Sequence, residues 1–161
     1  MAPFSFLLSY SLLSKRVPRH SPTLTSQFRA YSGTHHLMAF RFVGLDHVQL
    51  AAPTGCEEKA RAFFCTLLGM KEIQEPPNLA KRGGVWFRCG EHQLHVGVQT
   101  DFNAATKAHP AFAIKNLTEL RSHLIANNVE VKEDEPLEGA DRFYLDDPFG
   151  NRLEFLERVP Q

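Results

Sequence analysis

Four side chains of this sequence are spaced so that they could bind one metal ion together. Two stretches of similar length each begin with a histidine and end with a second metal-binding residue: His47 and His95 are 48 residues apart, and His109 and Glu154 are 45 residues apart. Imidazole nitrogens and carboxylate oxygens bind first-row divalent ions such as Zn, Fe(II), Ni, Co or Mn. The repeat therefore predicts one divalent metal centre built between two related units.

A metal ion held in this way could support two kinds of chemistry. It could lower the pKa of a coordinated water to about 7. It could also hold two adjacent substrate oxygens and stabilise an enolate that forms between them. Glu154 is the carboxylate of the set and could exchange between ligand and general base, as isomerisation by proton abstraction requires. We therefore predict Glu154 as a catalytic residue as well as a ligand.

Each predicted ligand lies on the polar face of a predicted strand. The segments 43–50, 93–98 and 152–156 alternate between aliphatic and polar residues, as half-buried strands do. The segment 109–114 alternates in the same way around Phe112 and Ile114. Because the polar faces are directed away from the core, we expect the ligands to line a concavity. Further strands are predicted at 84–88, 129–132 and 142–145.

Two amphipathic helices are predicted, one in each unit. Thr54 and Glu57 form a capping-box pattern before the first helix, and Gly69 stands where that helix should end. Asn116 and Glu119 form a second cap before the helical spacing of the second unit. The same order of strand, helix and strands therefore occurs twice, which predicts an α+β fold.

Four motifs identify a resemblance over roughly residues 42–157. They are LDHV at 45–48, the strand 93–98, HPAF at 109–112 and DPFGNRLE at 147–154. These motifs resemble the vicinal oxygen chelate superfamily. That group contains glyoxalase I, the fosfomycin resistance proteins, the extradiol dioxygenases, methylmalonyl-CoA epimerase and the bleomycin-binding proteins.

The resemblance implies two βαβββ modules, at about 42–100 and 107–157, that form a curled sheet around a shared cleft. It also implies a small-molecule substrate, a homodimer and the metal ligands His47, His95, His109 and Glu154. The implied function is that of a glyoxalase-like, metal-dependent lyase or isomerase acting on a small oxygenated substrate. Two alternatives are open: an Fe(II) extradiol-type dioxygenase that uses His47, His109 and Glu154, or a metal-free protein that binds a flat ligand.

The first 31 residues differ in composition from the rest of the chain. No acidic residue precedes Asp46, and this leading segment is rich in Ser, Thr and Arg. The tetrapeptide RAYS at 29–32 resembles a presequence cleavage pattern, with the cut after Tyr31. We therefore predict a mitochondrial transit peptide over 1–31, a matrix location and a linker over 32–41. A secretory signal is the alternative, but the apolar run 4–13 has no positive charge before it.

Composition disfavours several classes of partner. Without residues 1–31 the chain has 14 basic and 18 acidic side chains, so that binding to nucleic acid is not expected. The apolar run near the start is too short to span a membrane, which takes about 20 residues. Cys56, Cys65 and Cys89 have no zinc-binding spacing and are predicted to be reduced thiols.

Overall fold

The computed structural model describes residues 40–159, so the predicted transit peptide and nearly all of the linker lie outside the described residues. Mitochondrial location stays a prediction. Every strand and helix given below belongs to the compact unit that begins at Phe42. No helix in the described part of the chain is long and apolar enough to cross a membrane.

The first module contains one helix and four strands. The strands are β1 (His47–Ala52), β2 (Lys71–Ile73), β3 (Gly84–Cys89) and β4 (His92–Val98). They form an open sheet in the order β1-β4-β3-β2, in which β1 runs parallel to β4 and the other pairs are antiparallel. The helix α1 begins as Glu57–Ala60, continues as a π-helix over Arg61–Leu67 and stops before Gly69, as predicted.

The second module repeats this order with one strand fewer. It consists of β5 (Ala111–Ala113), α2 (Leu117–Ala126), β6 (Ala140–Asp146) and β7 (Arg152–Arg158), with sheet order β5-β7-β6. The prediction of a strand at 129–132 is wrong, because only Lys132 forms a bridge, to Tyr144. Three acidic residues and Pro136 follow this bridge and stop the pairing. The predicted α+β fold of two repeated modules is confirmed.

The two faces of each sheet differ in polarity, as the alternation predicts. The buried residues include Phe64, Phe87, Phe143 and Phe155. One boundary was not as expected: β1 begins at His47, whereas the pattern predicts a start at residue 43. The partner strand β4 begins at His92, and its pairing with β1 begins at His47 and Gln93.

The helix caps also differ from the predicted ones. The side chain of Asn116 makes no cap bond, and the carboxylate of Glu157 in β7 accepts from the backbone N–H groups of Asn116 and Leu117 at 3.0 and 2.9 Å. In the first module no side chain caps α1, and Glu57 accepts from the backbone N–H of Gly84 at 3.0 Å. These carboxylates make contacts across long stretches of sequence, which a local capping pattern does not reveal.

The turn over residues 147–151 joins β6 to β7 and links the two modules. Oδ1 of Asp147 accepts from the backbone N–H groups of Phe149 and Asn151 at 2.8 and 2.9 Å. The side-chain nitrogen of Asn151 donates to Oδ2 of Asp147 at 2.8 Å and to the backbone oxygen of Ala51 in β1 at 2.9 Å. Burial raises the pKa of Asp147 in spite of these hydrogen bonds. Asn151 therefore fastens the second module to the first.

We expect Asn151→Ala to lower the free energy of unfolding by about 2–3 kcal/mol, because the buried carboxylate of Asp147 and the carbonyl of Ala51 lose a donor. Denaturant unfolding measures the change. Asn78→Ala is the matched control, since Asn78 is exposed, and it should change stability by less than about 0.5 kcal/mol. Equal losses in the two variants would contradict the linking role of Asn151.

Candidate metal centre

His109 and Glu154 meet on the polar face of the second sheet. His109 lies just before β5, and the parallel pairing of Ala111 with Glu154 in β7 brings their side chains together. Nε2 of His109 lies 3.0 Å from Oε2 of Glu154. On the other side of the ring, Nδ1 lies 2.7 Å from the backbone oxygen of Lys107. We call His109 and Glu154 the second half-site.

These two contacts require a positive charge between His109 and Glu154. A backbone oxygen only accepts hydrogen bonds, so the contact with Lys107 places the proton of a neutral ring on Nδ1. Nε2 then directs a lone pair at a carboxylate oxygen 3.0 Å away. Two acceptors do not rest at this distance unless a cation lies between them. A second ring proton or a metal ion meets the requirement.

The geometry of the second half-site suits a divalent metal ion. Two ligand atoms about 2.1 Å from one ion, and at right angles to each other, are about 3 Å apart. The nitrogen of His109 and the oxygen of Glu154 have this separation. A nitrogen and oxygen donor set is also appropriate for Zn, Fe(II), Ni, Co or Mn.

Arg142 holds the other carboxylate oxygen of Glu154. Nη1 of Arg142 donates to Oε1 of Glu154 at 3.2 Å and to the hydroxyl of Tyr144 at 2.7 Å. Burial raises the pKa of Glu154, but the hydrogen bonds and charges of His109 and Arg142 outweigh burial and lower it. An ionised carboxylate of low pKa is a good ligand and a weak base. The surroundings of Glu154 therefore favour the ligand role over the general-base role.

His95 is the middle ring of a stack of three on the first sheet. Its ring centre lies 3.7 Å from that of Trp86 and 4.3 Å from that of His47, with interplanar angles of 9° and 18°. The lone pairs of imidazole lie in the ring plane, so two nearly parallel rings at this separation do not both point at one ion. Nε2 of His95 is also 2.9 Å from Oε1 of Gln93. We call His47 and His95 the first half-site.

His47 keeps one ring nitrogen available for a ligand. Its Nδ1 lies 2.8 Å from Oδ1 of Asp46, and an ionised carboxylate only accepts, so the proton of the neutral ring lies on Nδ1. Nε2 is left with its lone pair, and the side chain is 44% exposed. His109 has the same arrangement through the carbonyl of Lys107. Such outer contacts commonly orient metal-binding histidines.

The four predicted ligands are thus placed as two pairs. Among residues 40–159, no three side chains of His, Cys, Asp or Glu are close enough together to hold a metal ion. The prediction that one metal ion has four ligands, His47, His95, His109 and Glu154, stays a prediction. The structure places these four side chains in the two half-sites.

A cavity of about 1110 Å³ lies between β1 and β5. Gln49 and Ala51 line it on one side, and His109 and Ala111 line it on the other. Both strands are edges of their sheets, so each has backbone groups without a strand partner on this side. The size and the largely apolar lining are typical of a site for a small molecule.

The sequence patterns assign no site role to three residues that lie around the half-sites: Trp86, Arg142 and Tyr144. Arg142 and Tyr144 alternate along β6 with Phe143 and Leu145, which belong to the hydrophobic core, and this alternation could have placed them on the polar face. Their contact with Glu154 depends on the pairing of Tyr144 with Glu154 across β6 and β7. That register follows from the length and geometry of the turn.

Comparison with known proteins gives a consistent result. The model of the Glyoxalase/Bleomycin resistance protein/Dioxygenase superfamily matches residues 44–155. A solved glyoxalase family protein from Bacillus anthracis is 50% identical, with a TM-score of 0.73, over 75% of this chain and 99% of that chain. No curated protein matches the sequence.

Two more distant structures have the same fold. Lactoylglutathione lyase from Agrobacterium tumefaciens is 21% identical with a TM-score of 0.57, over 71% of this chain and 93% of that chain. A glyoxalase/dioxygenase from Nostoc punctiforme is 19% identical with a TM-score of 0.60, over 74% of this chain and 92% of that chain.

Trp86 is the single tryptophan of the sequence, so its fluorescence reports on the ring stack. Burial, followed by the charge of His47, lowers the pKa of His95 below 6.5. We expect the fluorescence of Trp86 to decrease as the pH is lowered, with a midpoint below pH 6.5, because protonated His95 stacked on the indole quenches the emission. His95→Gln should abolish the transition, and the exposed control His92→Gln should retain it. A transition that persists in His95→Gln would contradict the stack.

Proposed function

Because the chain belongs to the Glyoxalase/Bleomycin resistance protein/Dioxygenase superfamily, we propose that it is a glyoxalase-like, metal-dependent lyase or isomerase. Its substrate is a small oxygenated molecule. Its metal ligands are His47, His109 and Glu154, which bind a divalent ion such as Zn, Ni, Co, Mn or Fe(II). In this proposal His95, the predicted fourth ligand, holds the ring of His47 in place.

The contact between His109 and Glu154 carries the proposal. Nε2 of His109 and a carboxylate oxygen of Glu154 face each other at 3.0 Å, and Nδ1 on the far side of the ring lies against the carbonyl of Lys107. A divalent metal ion bound by both atoms would occupy this position. Exchange of a proton for a metal is the usual linkage at histidine ligands.

A bound divalent ion would act as a Lewis acid toward adjacent oxygens of the substrate. The residues of the chain provide the rest of the site. His109 and Glu154 would hold the ion, and Arg142 occupies Oε1 of Glu154, which leaves Oε2 as the oxygen that would bind it. His109 lines the cavity between β1 and β5, so the end of a small substrate that meets the metal has room there.

The same ligand set supports a second candidate function. Two histidines and one carboxylate are the facial set of non-haem Fe(II) oxygenases. We keep an Fe(II) extradiol-type dioxygenase as the alternative. Iron in the purified protein, together with oxygen uptake in the presence of a catechol, would favour the dioxygenase over the lyase or isomerase.

We further propose that two copies of the chain complete each metal centre as a homodimer. The half-sites are separate within the described residues, and each module offers an edge strand, β1 or β5, for contact. In this dimer His47 of one copy would approach His109 and Glu154 of the other. Two equivalent centres would result, each with ligands from both copies.

Metal content tests the proposed ligands. We expect close to one transition-metal ion per chain in protein purified without a histidine tag, measured by elemental analysis. His47→Ala and Glu154→Ala should each abolish binding, because each removes one of three ligands. His92→Ala is the control and should keep the metal, since His92 is exposed. Wild-type protein that takes up no metal on reconstitution would contradict the proposal and leave a metal-free binding protein.

Mixed dimers test whether the centre is shared. A dimer of one His47→Ala chain and one Glu154→Ala chain would contain one centre with all its ligands, if each centre draws on both copies. We expect the separate variants to bind no metal and the refolded mixture to regain metal in its mixed dimers. Recovery of no metal, in a mixture shown by mass spectrometry to contain mixed dimers, would place each centre within one chain.

A further inference from the structure

The polar face of the second sheet carries side chains for which the proposed metal chemistry has no use. Tyr144 lies between two arginines: the guanidinium carbon of Arg152 is 3.9 Å from the ring centre, and that of Arg142 is 5.4 Å from it. Arg142 is committed to Glu154 and to the hydroxyl of Tyr144. Arg152 is on the same face of β7 as Glu154 but does not contribute to holding it.

Most of the hydrogen-bonding capacity of Arg152 is unused. Nη2 donates to Oδ2 of Asp134 at 2.9 Å, which is its one hydrogen bond among the described residues. A guanidinium has five N–H donors in a flat fork. The side chain is 24% exposed, and it is braced against the ring of Tyr144. A fixed, flat cation with unused donors is suited to bind the two oxygens of a carboxylate or phosphonate.

One carboxylate oxygen of Asp134 already accepts a hydrogen bond from the guanidinium of Arg152. Its side chain is 44% exposed, and its other oxygen accepts from the backbone N–H of Glu135 at 2.8 Å. Solvent-exposed ion pairs contribute little free energy. An anion that offers two oxygens to Arg152 can therefore take the place of Asp134.

A cavity of about 380 Å³ lies beside Arg152 and can admit such an anion. Thr106, Lys132 and Tyr144 contribute to its lining. The carboxylates of Glu133 and Asp146 also line it, and each of them is paired with a cation, Arg121 and Lys132 respectively. Arg152 and Glu154 are two residues apart on one face of β7, which separates them by about 7 Å along the strand. A small molecule that reaches from Arg152 to the second half-site must span this length.

The charges on this face are paired before any ligand binds. Arg142 pairs with Glu154, and Nζ of Lys132 pairs with Asp146 at 2.6 Å. The acidic groups on this face are therefore balanced before any ligand binds. A divalent ion at the second half-site would add positive charge and attract an anion.

We propose that Arg152 binds the negatively charged group of the substrate, and that the substrate is a small carboxylate or phosphonate. Its charged group lies about 7 Å along β7 from the end that meets Glu154. The inference rests on the proposed function, because it names the substrate class of the same site. Asp134 acts as the internal competitor for Arg152.

Binding of phosphonoacetate to the full chain, measured by calorimetry with and without Zn²⁺, tests the inference. We expect Arg152→Gln to weaken binding by about tenfold or more, since a two-point charge-assisted contact is lost. Asp134→Asn should strengthen binding several-fold by removing the competitor. Arg158→Gln is the matched control, because Arg158 is exposed on the same strand, and it should leave binding unchanged.

Opposite effects of the Arg152 and Asp134 variants would support the inference, since a fold defect does not strengthen binding. Arg152→Gln equal to wild type, an equal loss in Arg158→Gln, or no binding to wild type would each overturn it. The metal-free titration separates the two proposals. If the variants behave as expected and Zn²⁺ does not bind, the proposed metal centre is contradicted and the anion site is supported. If Zn²⁺ binds and Arg152→Gln has no effect, the anion site is contradicted and the metal centre is supported.

Discussion

The buried turn between Asp147 and Asn151 is the constraint on which the fold and the candidate site both depend. Both residues are buried, and a buried carboxylate is tolerated only when hydrogen bonds surround it. The backbone N–H groups of Phe149 and Asn151 and the amide of Asn151 meet this need for Asp147. The same amide binds the carbonyl of Ala51 in β1. One set of hydrogen bonds thus fixes both the β6–β7 hairpin and the junction between modules.

The arrangement of charges on the second sheet follows from this hairpin. Its register pairs Tyr144 with Glu154 and Asp146 with Arg152, so polar residues from the two strands share one face. Lys132, Arg142 and Arg152 each have an acidic partner on this face, and His109 makes a further contact with Glu154. Our proposals place a divalent ion at the contact of His109 with Glu154 and an anion at Arg152, on the same face.

Local sequence patterns predicted which strands and helices form better than they predicted how those elements begin and end. Alternation located the strands that carry His47 and Glu154, because burying one face of a sheet imposes a period of two on the chain. The predicted helix caps were wrong. At the start of α2 the backbone N–H of Leu117 donates to Glu157 on a distant strand, and the side chain of Asn116 makes no cap hydrogen bond. A capping pattern describes contacts within one turn of chain, and here the contact comes from another element.

The sequence by itself determined the repeat of two α+β modules, the polar faces of their strands and the residue types that could bind a metal, since these depend on composition and period. Tertiary structure alone decided which of these side chains meet. It paired His109 with Glu154, placed His95 between His47 and Trp86, and brought Arg142 to the carboxylate. The reason is physical: strand register and ring stacking set distances and directions between residues remote in sequence, and no local pattern encodes them.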